Sequence, residues 1–462
     1  MQIDLATQER AYTIQWLFSS MKLNLYLLGC AAVAALGGLL FGFDTAVVAG
    51  TTHGLVANYG LTSGQLGFTV SIALWGTVVG CLAAGFMGQR IGSREALRIT
   101  AVLYVVAAVG CGLSWNWSAL LAFRFVGGLG VGASSVLAPV YITEVAPARA
   151  RGRLVGFFQI DIVIGILLAY LSNYLISRQD LGSAEWRWEL GAAALPALLF
   201  FCLLLVIPSS PRWLVTQSDT GGALDVLQKM GSEDANGELQ EILHSLDPKH
   251  APINEPLLSR KYLFPISLAV MLGAFSQMSG INAVLYYLND IFAAAGFSRT
   301  SAGVQSVVVG LVNLAATLIA IYLIDRAGRR RLLLGGTAGM AISLFAMAFL
   351  FSNRLQSRNL IYLMVAYIFF FATSLGAVTW VYISEIFPNR VRARGQSLGS
   401  MSHWVMNAVI SWFFPVLTAW SKPAPFFFFS AMMAMLFAIA FFVLPETKGI
   451  TLEHLEEKFE TG

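Results

Sequence analysis

The sequence predicts an all-α membrane protein: twelve transmembrane helices in two pseudo-symmetric six-helix bundles, joined by a cytosolic helical linker. Three observations carry this. Hydrophobic residues make up 57 % of the 462 residues and charged residues only 12 %, against roughly 25 % charged in soluble domains. The apolar residues come in blocks near the ~20-residue length that spans a bilayer. The second half of the chain repeats short motifs of the first in the same order.

The twelve blocks are 24–50, 63–87, 97–114, 117–140, 155–176, 189–207, 262–289, 302–324, 332–352, 360–383, 397–419 and 425–444. Five domains follow: an N-terminal cytosolic tail over 1–22, a first bundle over 23–208, a linker over 209–261, a second bundle over 262–445 and a C-terminal cytosolic tail over 446–462. The linker carries Asp219, Lys229, Glu238, Glu241 and Lys249 and reads as short amphipathic helices. The first residues include Asp4, Glu9 and Arg10 and lack a signal-peptide pattern.

Arginines set the expected orientation, since Lys and Arg accumulate on the cytosolic side. Arg90, Arg94 and Arg98 follow span 2, Arg149, Arg151 and Arg153 follow span 4, Arg326 and Arg329 to Arg331 follow span 8, and Arg390, Arg392 and Arg394 follow span 10. The opposite loops hold only Arg178, Arg187, Arg299, Arg354, Arg358 and Lys422. Both termini and the linker are therefore expected in the cytosol of a cell inner membrane. The net charge of +4 includes no basic stripe, so no nucleic-acid partner is expected.

The repeats are specific. GFMGQRIGSR after span 2 pairs with IYLIDRAGRR after span 8, YITEVAPARARG after span 4 pairs with YISEIFPNRVRARG after span 10, and PSSPRW closes span 6 as PETKG closes span 12. Duplicated six-helix bundles with a site between them near the midplane are a known transporter plan.

Lone charges stand out against this apolar background. Asp44 is the only acidic or basic side chain, histidine aside, between Lys22 and Arg90, and Arg124 the only one between Arg98 and Glu144. A single charge at a bilayer centre costs ~3 kcal/mol on insertion scales, so the two are expected to meet. Two readings stand: a pair that fixes helix packing, or a proton site in which Arg124 tunes Asp44. Asp161 is a third lone charge, between Arg153 and Arg178. It suits either a hydrogen bond to a ligand or a packing role.

Cys30, Cys81, Cys111 and Cys202 fall within apolar blocks and read as buried small hydrophobes, with no disulfide or metal spacing. Two enzyme-like strings lack their context. GQSLG at 395–399 opens a span without a preceding strand. GLGVGA at 128–133 is better read as small residues that let helices approach closely.

Taken together, R-x-G-x-R in both halves, E-x-x-P-x-x-x-R-G after span 4, the PSSPR and PETKG ends and SQMSGINAVLYY at 276–287 resemble the sugar porters of the major facilitator superfamily. The resemblance covers about Leu23 to Glu453. It implies the major facilitator fold and alternating-access carriage of a monosaccharide or polyol. Carried over by motif, it implies sugar contacts at Gln159, Gln277, Asn282, Asn313, Trp380, His403 and Asn407, with Asp161 and Ser276 as further candidates for sugar or proton. Amides both donate and accept, which suits hydroxyls, and an indole offers a flat apolar face with one N–H. Gly280, between Gln277 and Asn282, is expected to loosen the helix so that both reach the cavity. The chain departs from the family pattern at Ser276, Ala377, His403, Asp161, Ser209, Gln89 and Ser93, which leaves the identity of the sugar open.

The resemblance also implies that an aspartate at position 44 marks proton coupling, so a sugar:proton symporter is expected, with Asp44 fronting a water-accessible crevice between the halves. The proton is the coupling ion, no cofactor or metal is expected, and the working unit is expected to be a monomer in lipid. Arg90, Arg94, Glu144, Arg151, Arg212, Asp325, Arg329, Arg330, Glu385 and Arg392 are expected to latch the cytosolic side shut when the carrier faces outward. The alternatives are a passive uniporter or polyol carrier in which Asp44 and Arg124 are structural, a sugar receptor, and a membrane enzyme, for which no catalytic constellation is present.

Overall fold

In the computed structural model the described residues are 24–147, 150–232, 234–246, 257–353, 359–387 and 391–447. The first half holds α1 (Leu25–Tyr59), α2 (Ser63–Ile91), α3 (Ser93–Gly112), α4 (Trp117–Val145) and α5 (Arg151–Ser177), then a sixth span made of α6 (Glu185–Gly191) and α7 (Ala194–Leu204). Three short helices follow: α8 (Pro211–Thr216), α9 (Thr220–Lys229) and α10 (Ala235–Leu246). The second half opens with a seventh span in three pieces, α11 (Leu263–Met278), α12 (Ile281–Tyr286) and α13 (Leu288–Ala294). It continues with α14 (Arg299–Ala327), α15 (Arg329–Ser352), a tenth span in two pieces, α16 (Leu360–Thr373) and α17 (Leu375–Glu385), then α18 (Arg392–Trp420) and α19 (Ala424–Phe442).

Eleven helical segments among the described residues are long and apolar enough to cross a membrane. The twelfth, α18, is 29 residues long, but Gln396, Ser397, Ser402, His403, Asn407 and Ser411 dilute its apolar content. Leu82, Leu195, Val206, Ile342, Tyr362 and Phe442 point away from the protein, as lipid-facing side chains do. Cys202 is exposed with them, which corrects the expectation that all four cysteines are buried; all four are free thiols.

Within the first half, α1 packs along α5 and α2 along α4; within the second, α11 packs along α18 and α15 along α19. The α2–α4 crossing depends on glycine. A Cβ on Gly128 would lie 1.8 Å from the Ala73 carbonyl oxygen, and one on Gly132 would lie 2.1 Å from that of Thr77. Both glycines belong to the GLGVGA string, whose role here is close packing. Gly128→Ala should therefore force the helices apart and lower the detergent-solubilised melting midpoint by several degrees, a destabilisation of about 2–4 kcal/mol; an unchanged melting curve would show that the crossing has slack.

The halves meet along α2 with α18, α5 with α14, and α12 and α13 with α1. One face of the bundle carries the linker helices and the arginine-rich loops. At the opposite, far face, polar contacts join the halves. Thr52 Oγ1 donates to Asp290 Oδ1 at 3.0 Å, Tyr170 OH donates to the Leu285 carbonyl at 2.9 Å, and Trp412 Nε1 donates to the Gly64 carbonyl at 3.1 Å.

Candidate functional site

The seventh span breaks where the sequence places SQMSGINAVLYY. Gly280 has φ +83°, a left-handed conformation that ends α11 and starts α12. The break turns Asn282 back toward Gln277, and Asn282 Nδ2 donates to Gln277 Oε1 at 2.9 Å. An unbroken helix would have turned these two residues, five apart, toward different directions. The Gln277 amide nitrogen lies 3.0 Å from His403 Nε2 on α18. The imidazole in turn sits against Trp380, with ring centroids 4.9 Å apart, and against Trp404 at 5.3 Å. One turn along α18, Asn407 accepts from Ser411 Oγ at 3.1 Å and points Nδ2 at the Tyr286 hydroxyl, 3.5 Å away.

Five predicted residues, Gln277, Asn282, Trp380, His403 and Asn407, therefore form one polar and aromatic wall in the second half. Ser276 is buried beside Gln277, and its carbonyl accepts Ser279 Oγ at 2.6 Å. Gln159 and Asp161 stand on α5 and Asn313 on the adjacent α14. Gly310 meets Leu167 and Gly303 meets Tyr174, an antiparallel register that sets Asn313 within about a turn of Asp161. Among the described residues the side chains of Gln159, Asp161, Asn313 and Trp380 make no hydrogen bond. That leaves their donors and acceptors free for a ligand rich in hydroxyls.

The lone charges meet as expected. Arg124 Nη1 lies 3.2 Å from Asp44 Oδ1, with the arginine side chain 5 % exposed and the aspartate 28 %. The small pocket beside them, about 20 Å³, has its walls in the first half, with Leu40, Tyr104, Cys111, Phe123, Leu190 and Ala193 among its lining. The expectation from sequence is that Asp44 fronts the crevice between the halves. On the pocket side of the carboxyl the walls are α3, α4 and the sixth span. Tyr286 connects the two regions, since its hydroxyl is next to Asn407 and within electrostatic reach of Asp44 and Arg124.

The model of the Sugar (and other) transporter family matches residues 30–459. The D-xylose-proton symporter of Escherichia coli strain K12 is 37 % identical over 475 residues, covering 94 % of this chain and 96 % of its own. This chain belongs to the sugar transporter family. The arabinose-proton symporter of Bacillus subtilis strain 168 is 35 % identical, covering 93 % of this chain and 94 % of its own. An inward open structure of the E. coli xylose transporter superposes with a TM-score of 0.83 at 35 % identity, covering 94 % of this chain and 99 % of that one.

The sugar-transporter motifs at the linker face resolve into ties inside each half. Tyr141 OH donates to the Pro208 carbonyl at 2.9 Å, and Tyr382 OH to the Pro445 carbonyl at 3.0 Å. Arg151 Nε donates to the Ala146 carbonyl at 3.1 Å, and Arg392 Nε to that of Phe387 at 3.2 Å. Arg94 and Arg98 share Glu95, at 2.7 and 2.8 Å, and donate to the carbonyls of Ile207, just past α7, and Leu204, its last residue. Glu144 accepts from Ser93 Oγ at 2.6 Å, and Arg329 pairs with Glu385 at 2.9 Å. Arg330 Nε donates to the Ala440 carbonyl at 3.1 Å, Arg90 lies over the Phe86 ring, and Arg212 is exposed. The Asp325 side chain is outside the described residues. In these contacts the expected latch residues tie helices together, each within one half.

Sequence reasoning missed Thr52, Asp290, Tyr286 and Glu189. Asp290 falls one residue past the predicted end of span 7, and Glu189 is merely the first residue of the predicted span 6. Tyr286 lies inside the quoted motif, but only the fold shows its position between the amides and the ion pair.

Proposed function

We propose that this chain carries a monosaccharide, a pentose such as D-xylose or L-arabinose or a related hexose, together with a proton across a bacterial inner membrane. The observation that carries the reading is the contact of Arg124 with Asp44 at 3.2 Å, set apart from the polar wall that suits a sugar. The proton-symporting relatives support it. In this reading the linker face and both termini are cytosolic, and the protein works as a monomer in lipid.

The sugar sits between the halves. Gln277 and Asn282 arrive as a pre-ordered amide pair, His403 and Asn407 extend it, and Trp380 covers an apolar ring face. Gln159, Asp161 and Asn313 approach from α5 and α14, and Ser276 lines the floor. Asp44 takes up the proton and Arg124 holds the carboxylate when the proton leaves. Tyr286 links the two events: a shift of α12 on sugar binding moves its hydroxyl relative to Arg124. The charged residues at the linker face keep each half rigid while the halves rock.

The test is sugar-dependent proton movement. Adding D-xylose to lightly buffered, de-energised cells that express the chain should raise the external pH at a rate close to that of sugar uptake. Competition by a panel of pentoses and hexoses would rank the substrates. Sugar uptake with no pH change would instead assign passive carriage.

A further inference from the structure

Glu189 is 1 % exposed, in the interior of the first half, and takes no part in the mechanism above. An ionisable side chain at membrane depth is costly and marks ion pathways. A Cβ built on Gly50 would lie 2.5 Å from Glu189 Oε1 and 2.6 Å from Asn173 Nδ2, so the carboxyl and the amide share the space that this glycine leaves. Gly50 lies six residues from Asp44 on α1, about 9 Å toward the far face. Leu190 and Ala193, one and four residues after Glu189, line the pocket beside Asp44. That pocket, about 20 Å³, has room for about one water molecule.

Two further observations point to ordered water here. Asn173 Nδ2 donates to the Val47 carbonyl at 2.9 Å, but its Oδ1 is buried and has no hydrogen-bond partner among the described residues. Trp186 Nε1, on the same helix as Glu189, is also buried and unpartnered among the described residues, and Trp186 packs against Gly54, one turn beyond Gly50. Buried polar atoms are normally satisfied by protein or by ordered water. From the far face inward, Trp186, Asn173 with Glu189, the pocket and Asp44 thus form one polar line enclosed by α1, α3, α4, α5 and the sixth span. Besides Asp44 and the groups at the linker-face ends, the titratable or charged groups on the helices packed here are Glu185 and Arg187 on α6, His53 and Tyr59 on α1, Tyr104 and Cys111 on α3, Arg124 on α4, and Tyr170, Tyr174 and Asp161 on α5.

We propose that Glu189 relays protons between the far-face medium and Asp44, along a route inside the first half and separate from the sugar's path. The relay rests on the proton-coupled reading above. The Glu189 carboxylate accepts a proton from hydronium at the far face, leaving water and forming a carboxylic acid. It then gives that proton to a water in the pocket, which passes one of its own to Asp44. Glu189 returns to the carboxylate, and one proton has moved with no other bond changed.

The experiment compares the wild type, Glu189→Gln, Glu189→Asp and Asp44→Asn in proteoliposomes. It records D-xylose counterflow at equal pH, the initial rate of uptake driven by a pH gradient, and the final accumulation. Glu189→Gln should keep counterflow within about twofold and slow gradient-driven uptake about tenfold or more. It should still reach the wild-type accumulation, because a relay sets rate and not stoichiometry. Glu189→Asp should recover part of the rate. An unchanged initial rate would overturn the relay. So would loss of counterflow in parallel, which marks a packing role, or loss of final accumulation, which would make Glu189 the coupling group itself. If the wild type shows counterflow but no gradient-driven uptake, the symport reading fails and the relay falls with it.

Discussion

Asp44→Asn should abolish uphill sugar accumulation and leave sugar exchange running. One proton moving with each sugar converts a gradient of one pH unit into ~1.4 kcal/mol, enough for about tenfold accumulation. An amide at position 44 cannot carry that proton, so the internal sugar concentration should rise only to the external value. The substitution nearly preserves shape, and the oxygen of the new amide can still accept from Arg124. What it removes is a negative charge beside a guanidinium that is 5 % exposed. Unpairing a buried arginine costs about 3–5 kcal/mol, less here because the aspartate side of the pair is 28 % exposed. The measurement is radiolabelled D-xylose uptake in vesicles, with and without an imposed pH gradient, alongside counterflow. Accumulation above the external concentration by Asp44→Asn would show that the pair is structural and that the proton travels elsewhere.

Gly280→Ala should damage sugar binding more than any single amide substitution. The residue sits at φ +83°, where a side chain costs about 1–2 kcal/mol. Its Cβ would lie 2.3 Å from the Phe429 ring, which is itself 1 % exposed and stacked on Phe414. The backbone must therefore shift, and with it the short link that turns Asn282 toward Gln277. Expected results are a melting midpoint lowered by several degrees and half-saturating sugar raised about tenfold or more, since misplacing a paired donor and acceptor forfeits more than one hydrogen bond. Asn282→Ala serves as the comparison, because it removes one amide and leaves the break intact. Equal sugar affinity in Gly280→Ala and the wild type would show that the break does not set the amide geometry.

The twelve helices were legible because lipid imposes a simple rule: long apolar runs must form helices and end at charged residues. The arginine clusters and paired motifs then revealed the duplication. The meeting of Asp44 and Arg124 was legible for a similar reason, since two isolated opposite charges in one apolar half have nowhere cheaper to go. Gln277 and Asn282 were legible through the resemblance of SQMSGINAVLYY, and Gly280 between them supplied the physical reason that both could reach one cavity. The walls around Asp44 were not. Leu190, Ala193 and Cys111 are small or apolar residues indistinguishable in sequence from those facing lipid, and only the crossing of α3 and the sixth span behind α1 brings them to the carboxyl. The partners of the linker-face arginines were hidden too. Several of them are backbone carbonyls, as for Arg151 and Arg392, and a carbonyl carries no residue signature.

The paired tyrosine clasps have an energetic corollary. Tyr141 holds the end of the sixth span and Tyr382 the end of the twelfth, and each bond stays within its own bundle. Rocking one bundle against the other can leave both intact. The work of switching then concentrates in the few far-face bridges, Thr52 with Asp290, Tyr170 with the Leu285 carbonyl and Trp412 with the Gly64 carbonyl. Turnover speed then becomes sensitive to three buried or half-buried bonds between the bundles, none of them made by the amides that meet the cargo.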